Sequence, residues 1–162
     1  MTSAVAEARR VLRSPDAVSG KPGGLLLDIH PTDEPTTLHL WHARYKLNED
    51  LTDPPENLDA IHRTPIGELD HDPDSLGDFA AASDALAEAL ESGFELAQTL
   101  TFDYRYFFDS LDELTEYLEE EWENASASEA LLERALMVMG QAPIAPKLVV
   151  VQRVVVTGLR KI

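Results

Sequence analysis

An aspartate and a histidine at the end of an apolar run are the first residues in this sequence that suggest chemistry. Leu25-Leu26-Leu27-Asp28-Ile29-His30-Pro31 predicts a short buried strand that ends in polar groups. In α/β folds, ligands bind at the sheet edge where parallel strands end. A neutral histidine there can orient a substrate or accept a proton near neutral pH. Asp28 and His30 are therefore substrate-side candidates, and the competing interpretation is that His30 only hydrogen-bonds a neighbouring loop.

Three aromatic residues form a second candidate set. Tyr104 and Tyr106 lie two apart on a predicted strand, and Trp122 follows on a predicted helix. Such rings can wall an apolar substrate pocket, although aromatic stripes at strand or helix spacing also form ordinary core. Neither set includes a Ser/His/Asp arrangement, so the sequence assigns no catalytic residue.

The histidines do not predict a metal site. The chain has five histidines and no cysteine. His39 and His42 are three apart on a predicted strand and so point to opposite faces. No His-Glu-x-x-His helix is present, and without cysteine there is no thiolate ligand, disulfide or thiolate nucleophile.

Composition predicts one acidic globular domain over residues 1–162. The chain has 30 acidic and 13 basic residues, a net charge of −17, and 44% hydrophobic residues. This charge argues against nucleic acid or an anionic membrane as a partner. No apolar segment resembles a signal peptide or approaches the roughly 20 residues of a membrane span. We expect a cytoplasmic protein.

Hydrophobic periodicity and turn residues predict an alternation of helices and strands. Pro65 marks its strand as an edge strand, and Gly93 is placed to cap a helix. Ser110 with Glu113, and Ser126 with Glu129, are capping boxes that start helices. The predicted elements are a helix over 3–13, a strand over 24–30, a hairpin of 36–47 with 61–69 around a loop at 48–57, a helix from 72–75 to Gly93, a strand over 94–108, two helices, and a strand over 148–159.

Two of the predicted strands carry strong burial signals. In the last one, Leu148–Val151 and Val154–Val156 are apolar on both faces, which predicts an interior strand covered by helices on both sides. In the strand over 94–108, one face is apolar and the other carries threonine, aspartate and arginine. The apolar face comprises Leu96, Leu100, Phe102, Tyr104, Tyr106 and Phe108.

Several short motifs resemble one enzyme family. Ala8-Arg9-Arg10-Val11-Leu12 followed by Pro22-Gly23-Gly24-Leu25-Leu26-Leu27 resembles the A-x-R-V-L-x-P-G-G-x-L-L signature of class I S-adenosylmethionine-dependent methyltransferases, with a longer turn at 14–21. The segments Phe108–Glu113 and Val154–Arg160 extend the likeness. It implies an α/β fold: the C-terminal portion of a Rossmann-like sheet with helices on both faces. Its last strand is antiparallel and inserted between its neighbours, in the order 24–30, 148–159, 95–107.

The resemblance covers only the C-terminal half of that family. Its glycine-rich cofactor turn and ribose-binding acid would lie before residue 1, so no cofactor-binding residue is assigned here. The resemblance implies a methyltransferase-like protein, truncated or completed by another chain, that is inactive alone. S-adenosylmethionine is expected only when an N-terminal half completes the site.

Two other functions stay open, a non-catalytic interaction or dimerisation domain derived from the same fold and a small enzyme built around Asp28 and His30. The strand at Leu25–Ile29 is expected to have an open edge that a second copy or a complementing chain covers. The competing expectation is that residues 36–47 fold back over this edge.

Overall fold

The computed structural model describes residues 4–43, 61–72, 76–122, 124–142 and 146–162. These residues form an α/β structure with four helices and a mostly antiparallel sheet. The elements in chain order are α1 (Ala4–Val11), β1 (Leu25–Pro31), β2 (Thr37–Ala43), β3 (Ile61–Glu68), β4 (Asp70–His71), α2 (Leu76–Glu91), β5 (Phe94–Phe108), α3 (Leu111–Glu120), β6 (Ala125–Ser126), α4 (Glu129–Gln141) and β7 (Lys147–Lys161).

The chain divides into two compact units. The first is built from parts of residues 1–33, 73–103 and 153–162, and the second from parts of 34–72 and 104–152. The strands β5 and β7 contribute residues to both units. Each unit has its own cluster of buried apolar side chains.

The strand β7 is interior to the sheet, as its valines predict. The prediction of helices on both faces is wrong for the first unit, where α1 and α2 cover one face of the described strands and leave Leu27 and Ile29 exposed on the other. The strand β7 pairs with β1 antiparallel from Leu25↔Arg160 to Pro31↔Val154, and with β2 antiparallel from Thr37↔Val151 to Trp41↔Lys147. It also pairs with β5. The predicted neighbours of the last strand, β1 and β5, are therefore confirmed.

The expectation that residues 36–47 fold back over β1 is wrong for the part of this segment that the structure describes. There β2 pairs with β7 and β3, not with β1. The predicted hairpin with 61–69 is confirmed, and Pro65 does lie on an edge strand. Residues 44–47 and the predicted loop at 48–57 lie outside the described residues.

The first unit packs α1 and α2 against one face of its strands. Val5, Ala89, Phe94 and Leu159 are its buried core, with Leu12, Leu26 and Leu86 packed against them. Two glycines have a steric role. Gly93 follows α2 with a φ of +90°, the left-handed backbone that the predicted cap requires. At Gly23, an added Cβ would lie 1.8 Å from the Lys161 carbonyl oxygen.

The second unit packs α3 and α4 against β2, β3 and β7. The Arg134 guanidinium ties α4 to β3 by donating to the Ile66 carbonyl oxygen at 2.9 Å. The buried apolar residues of this core include Leu38, Leu40, Ile66, Leu114, Leu131, Ala135, Leu148 and Val150. Burial of this size is the main stabilising contribution to such a unit.

The predicted cap of α3 is confirmed and the predicted cap of α4 is wrong. The Glu113 amide donates to Ser110 Oγ at 3.1 Å, and the Glu113 carboxylate accepts from the Asp109 amide. For α4 the N-cap is Ser128, not Ser126. The backbone of Ser126 is held in the β4–β6 ladder opposite Asp70, so the helix begins two residues later than predicted.

The predicted burial of β1 and of most of β5 is also wrong. Leu25, Leu27 and Ile29 of β1 are exposed, and so are Leu96, Leu100, Phe102 and Tyr104 of β5. The helices of the first unit pack on the face that carries Leu26 and Leu159, and strand alternation directs the odd-numbered side chains of β1 to the opposite face.

Candidate functional site

Asp28 and His30 form a hydrogen-bonded pair in the first unit. They lie two apart on β1 and share a face, and His30 Nδ1 is 2.6 Å from Asp28 Oδ2. Both side chains are partly buried. A carboxylate held against one ring nitrogen fixes the imidazole orientation and directs the other nitrogen, Nε2, away from the pair.

The pair lies at the end of β1, as predicted, but the ladder there is antiparallel. β1 extends through Pro31, and its partner β7 is antiparallel. The rule that places ligands where parallel strands end therefore gives no reason to expect a ligand at Asp28 and His30. Directly opposite Asp28 on β7 is the buried Thr157. The pair can exchange a proton or hold a ring in place, and by itself it provides no nucleophile.

Tyr104, Tyr106 and Trp122 come together in the second unit, with Tyr106 between the other two. The ring centroid of Tyr106 is 4.8 Å from that of Tyr104 and 5.2 Å from that of Trp122. Tyr117, which sequence reasoning missed, is 5.6 Å from Tyr106. Its position three residues after the buried Leu114 on α3 is the periodic signal by which it can be found.

The surroundings of Tyr106 favour its neutral form. Partial burial raises the pKa of the Tyr106 phenol, and the nearby Tyr117 and Tyr104 raise it further. At neutral pH the phenol is therefore protonated and acts as a hydrogen-bond donor. This aromatic cluster offers an apolar surface with hydroxyl groups rather than an acid or base that titrates near neutral pH.

A second aromatic group in the same unit was not predicted. Trp41 is buried and lies directly opposite Arg63 in the β2–β3 hairpin. The Arg63 and Arg105 guanidinium carbons are 4.5 and 5.5 Å from the Trp41 ring centroid, and Phe107 packs edge-on at 5.6 Å. Cations stacked on an indole are attracted to its π face. The hairpin register, which sequence alone did not provide, is what brings Arg63 to this ring.

The histidines of the hairpin are arranged in two places. His42 and His62 face each other with ring centroids 5.0 Å apart, while His39 Nε2 is hydrogen-bonded to Thr37 Oγ1 at 2.9 Å. Within residues 4–43, 61–72, 76–122, 124–142 and 146–162, no three His, Cys, Asp or Glu side chains are grouped to hold a metal ion.

The first unit has an apolar sheet face that its described helices do not cover. Leu27 and Ile29 are 58% and 64% exposed, and they pair directly with Gly158 and Val156 of β7. Residues that pair directly across a ladder share a face, so Leu25, Leu27 and Ile29 share one with Arg160, Gly158 and Val156.

We call the surface formed by Leu25, Leu27, Ile29 and Val156 the open apolar face. Arg160, which is exposed and directly opposite Leu25, borders it.

Sequence reasoning missed this face because it interpreted the run of apolar residues in β1 as an interior strand. The available signal was the alternation of Leu26, Asp28 and His30 with Leu25, Leu27 and Ile29. The set of Leu25, Leu27 and Ile29 is wholly apolar, whereas the other set includes an aspartate and a histidine. This pattern is typical of a strand whose two faces have different surroundings.

Comparison with protein-family models, curated proteins and solved structures finds no match. Separately, none of the helices among the described residues is long and apolar enough to cross a membrane. Because no known protein matches, a functional proposal for this chain rests on the geometry of each of its two units.

Proposed function

We propose that this chain is a protein-binding module, non-catalytic on its own, whose open apolar face packs against a polypeptide. The observation that carries the proposal is the exposure of Leu25, Leu27 and Ile29 on a sheet whose opposite face is covered by α1 and α2. A sheet normally buries its apolar face against a second layer. Contiguous exposed apolar patches of this kind mark interaction sites.

Charge favours an apolar polypeptide partner over an anionic one. The open apolar face has no acidic side chain, and the charged residue at its border, Arg160, is basic. The chain as a whole carries a net charge of −17. A nucleic acid or an anionic membrane would be repelled by the remainder of the surface. A polypeptide with its own apolar surface gains from burial without meeting this repulsion at the contact.

The test compares the Leu27→Glu variant with Leu136→Glu, a matched control on α4 that is similarly exposed and lies outside the open apolar face. Affinity-tagged protein is purified from source cells, and the mass and composition of its complexes are measured. We expect Leu27→Glu to lose a polypeptide, either a partner or a second copy, that wild type and Leu136→Glu retain. If no complex depends on Leu27, the proposal fails.

A second candidate is that the chain forms the C-terminal half of a methyltransferase, with a Rossmann-like sheet covered by helices on both faces and completed by another polypeptide. What supports it is the strand order: β7 lies between β1 and β5 and is antiparallel to β1, the order that the resemblance of Pro22–Leu27 and Val154–Arg160 implies. Asp28 and His30, or Tyr104, Tyr106 and Trp122, would then face the methyl acceptor.

This candidate predicts that the isolated chain transfers no methyl group. The expected result is no labelled product when the chain is incubated with labelled S-adenosylmethionine and a panel of small acceptors. Product above the level of a heat-denatured sample would contradict the account of an incomplete site. Cofactor binding restored by a complementing polypeptide would support the methyltransferase role over a purely structural one.

A further inference from the structure

Two histidines of the second unit face each other across the β2–β3 hairpin, and the functions proposed above use neither of them. His42 and His62 are direct partners in the ladder. They therefore lie on the same face of the hairpin, where directly opposed Cβ atoms are about 4.5–5.5 Å apart. Their ring centroids are 5.0 Å apart, and their ring planes are inclined by 63° to each other.

We propose that His42 and His62 bind one divalent transition-metal ion, of the class of Zn²⁺ and Cu²⁺, between their imidazole rings. Imidazole is a preferred ligand of both ions. The two rings supply two of the ligands, and water molecules complete the coordination. The inference is independent of the proposed protein-binding role, because the open apolar face belongs to the first unit and the two histidines belong to the second.

The separation of the two rings fits such a chelate. With a Zn–N bond of about 2.0–2.1 Å, the centroid of a ligating imidazole lies about 3.2 Å from the metal. Two such rings at the tetrahedral angle have centroids about 5.2 Å apart, close to the observed 5.0 Å. The torsion that turns a histidine ring about its Cβ–Cγ bond is soft, so each ring can direct a nitrogen at a shared ion without a change in the backbone.

The position of the pair on the hairpin lets an ion reach it from solvent. His42 lies two residues after Leu40 on β2 and so shares its face. Leu40 is buried in the core of the second unit, whereas His42 is half-buried and His62 is exposed. The pair therefore lies where the apolar core gives way to water, with the exposed ring of His62 as the point of entry.

The net charge of −17 draws cations of every kind toward this chain, so the choice of ligand atoms must account for selectivity. Carboxylate oxygens suit Mg²⁺ and Ca²⁺, whereas imidazole nitrogens suit Zn²⁺ and Cu²⁺. Spacing along the chain could not reveal this pair, because His42 and His62 are far apart in sequence and meet only through the register of the hairpin.

The experiment titrates the purified full-length chain, first freed of metal with a chelator, with Zn²⁺ in an isothermal titration calorimeter. Wild type is expected to bind one Zn²⁺ at a site that persists in about a hundredfold excess of Mg²⁺, which prefers oxygen ligands. His42→Gln and His62→Gln are each expected to raise the Zn²⁺ dissociation constant of this site about tenfold or more.

The matched control is His71→Gln, the same substitution at a half-buried histidine of the second unit that contacts Trp122 instead. It should bind Zn²⁺ like wild type, and circular dichroism verifies that each variant is folded. The electron paramagnetic resonance spectrum of Cu²⁺ bound to wild type is a second readout that does not depend on the folding of a variant. It should show two imidazole nitrogens in the copper coordination shell.

Two results would overturn the proposal. One is a Zn²⁺ affinity that is the same for wild type and for folded His42→Gln and His62→Gln. The other is a wild-type copper spectrum with fewer than two imidazole nitrogens. Zn²⁺ binding that Mg²⁺ abolishes would likewise assign the ion to surface carboxylates, and the contact of His42 with His62 would then be ordinary edge-on packing of two rings.

Discussion

Tyr106 joins the aromatic side chains of the second unit into one cluster. It contacts Tyr104, Tyr117 and Trp122, and its phenol is partly removed from water. Each contact is an edge-on or tilted arrangement of rings, the geometry that aromatic quadrupoles prefer. The ionised phenol would lose both its hydration and a favourable electrostatic environment, which is why burial and the neighbouring tyrosines raise its pKa.

The raised pKa of Tyr106 predicts a distinct step in an alkaline titration. The chain has four tyrosines, and tyrosinate absorbance should show one of them ionising later than the usual value near 10. The folded state favours the neutral phenol, so this contribution to stability is fully present below the unfolded pKa. It is lost as the pH rises through the raised folded pKa.

The matched variant is Tyr106→Phe, which keeps the ring and removes the hydroxyl. The late ionisation step should disappear from its titration, and its stability should fall less between pH 9 and pH 12 than that of wild type, about the interval in which tyrosine titrates. If the late step persists in Tyr106→Phe, another tyrosine carries it and the interpretation of the cluster is wrong.

At the scale of single residues, the sequence shows which side chains are present but does not predict which of them contact each other. Asp28 and His30 lie two apart on one strand, so their shared face follows from periodicity alone. The meeting of Trp122 with Tyr106 depends on how α3 packs on β5, and the stacking of Arg63 on Trp41 depends on a hairpin register with a shift between Leu38 and His39. Neither the packing nor the shift is encoded in a local pattern.

Among the elements, β7 contributes most to the architecture because three strands pair with it. Its residues Leu148, Val149 and Val150 are fully buried, and Val154 is 7% exposed. A charged side chain at such a position has no water and no partner, and the cost of an unpaired buried charge is several kcal/mol.

Val154→Asp should therefore lower the free energy of unfolding by about 3 kcal/mol or more. The control is Val18→Asp, the same substitution at a valine that is 98% exposed, which should change stability by less than about 0.5 kcal/mol. Chemical denaturation monitored by circular dichroism measures both. Equal midpoints for the two variants would mean that Val154 is not buried in an interior strand.

The position of β7 and the extents of most elements could be predicted because they depend on short-range patterns. Valines on two faces identify an interior strand, and Ser110 with Glu113 identifies a helix start. The cap of α4 could not be chosen from sequence, because Ser126 and Ser128 are both good N-cap residues. The choice is made by the pairing of β6 with β4, which is a long-range contact.

On the scale of the whole molecule, net charge is the dominant electrostatic property. Thirty acidic residues against 13 basic ones give −17, and this excess opposes the compact state through self-repulsion. Ion pairs such as Arg153 with Asp103 offset it locally. Added salt screens the repulsion between the remaining charges.

We therefore expect the thermal midpoint to rise as NaCl increases from about 0.05 M to about 1 M, over which the Debye length shrinks to about 3 Å. Choline chloride at the same ionic strengths is the control for screening, because it supplies a different cation. A similar rise in both salts identifies screening of the negative charge. A midpoint that is constant or falls in both salts would show that self-repulsion is not a significant term for this chain.

The division into two units is the aspect of the whole molecule that sequence did not reveal. Residues 34–72 and 104–152 of the second unit interrupt the segments that make up the first. No shift in composition marks the positions where the chain passes from one unit to the other. Two of these positions fall inside β5 and β7, where the strand pattern of the sequence continues without a break. Composition and length therefore give no sign of the two units, and one domain over residues 1–162 stays a prediction.

This interleaving has a consequence for how the protein is made on the ribosome. Leu25 pairs with Arg160 and Pro31 with Val154, so β1 is translated long before the strand that forms its ladder. In the nascent chain its leucines have no sheet to join while most of the sequence is still being added, and contacts this far apart in sequence form slowly. Exposed apolar strands of this kind are what chaperones bind. Synthesis of the first unit should therefore depend on chaperone protection until β7 emerges.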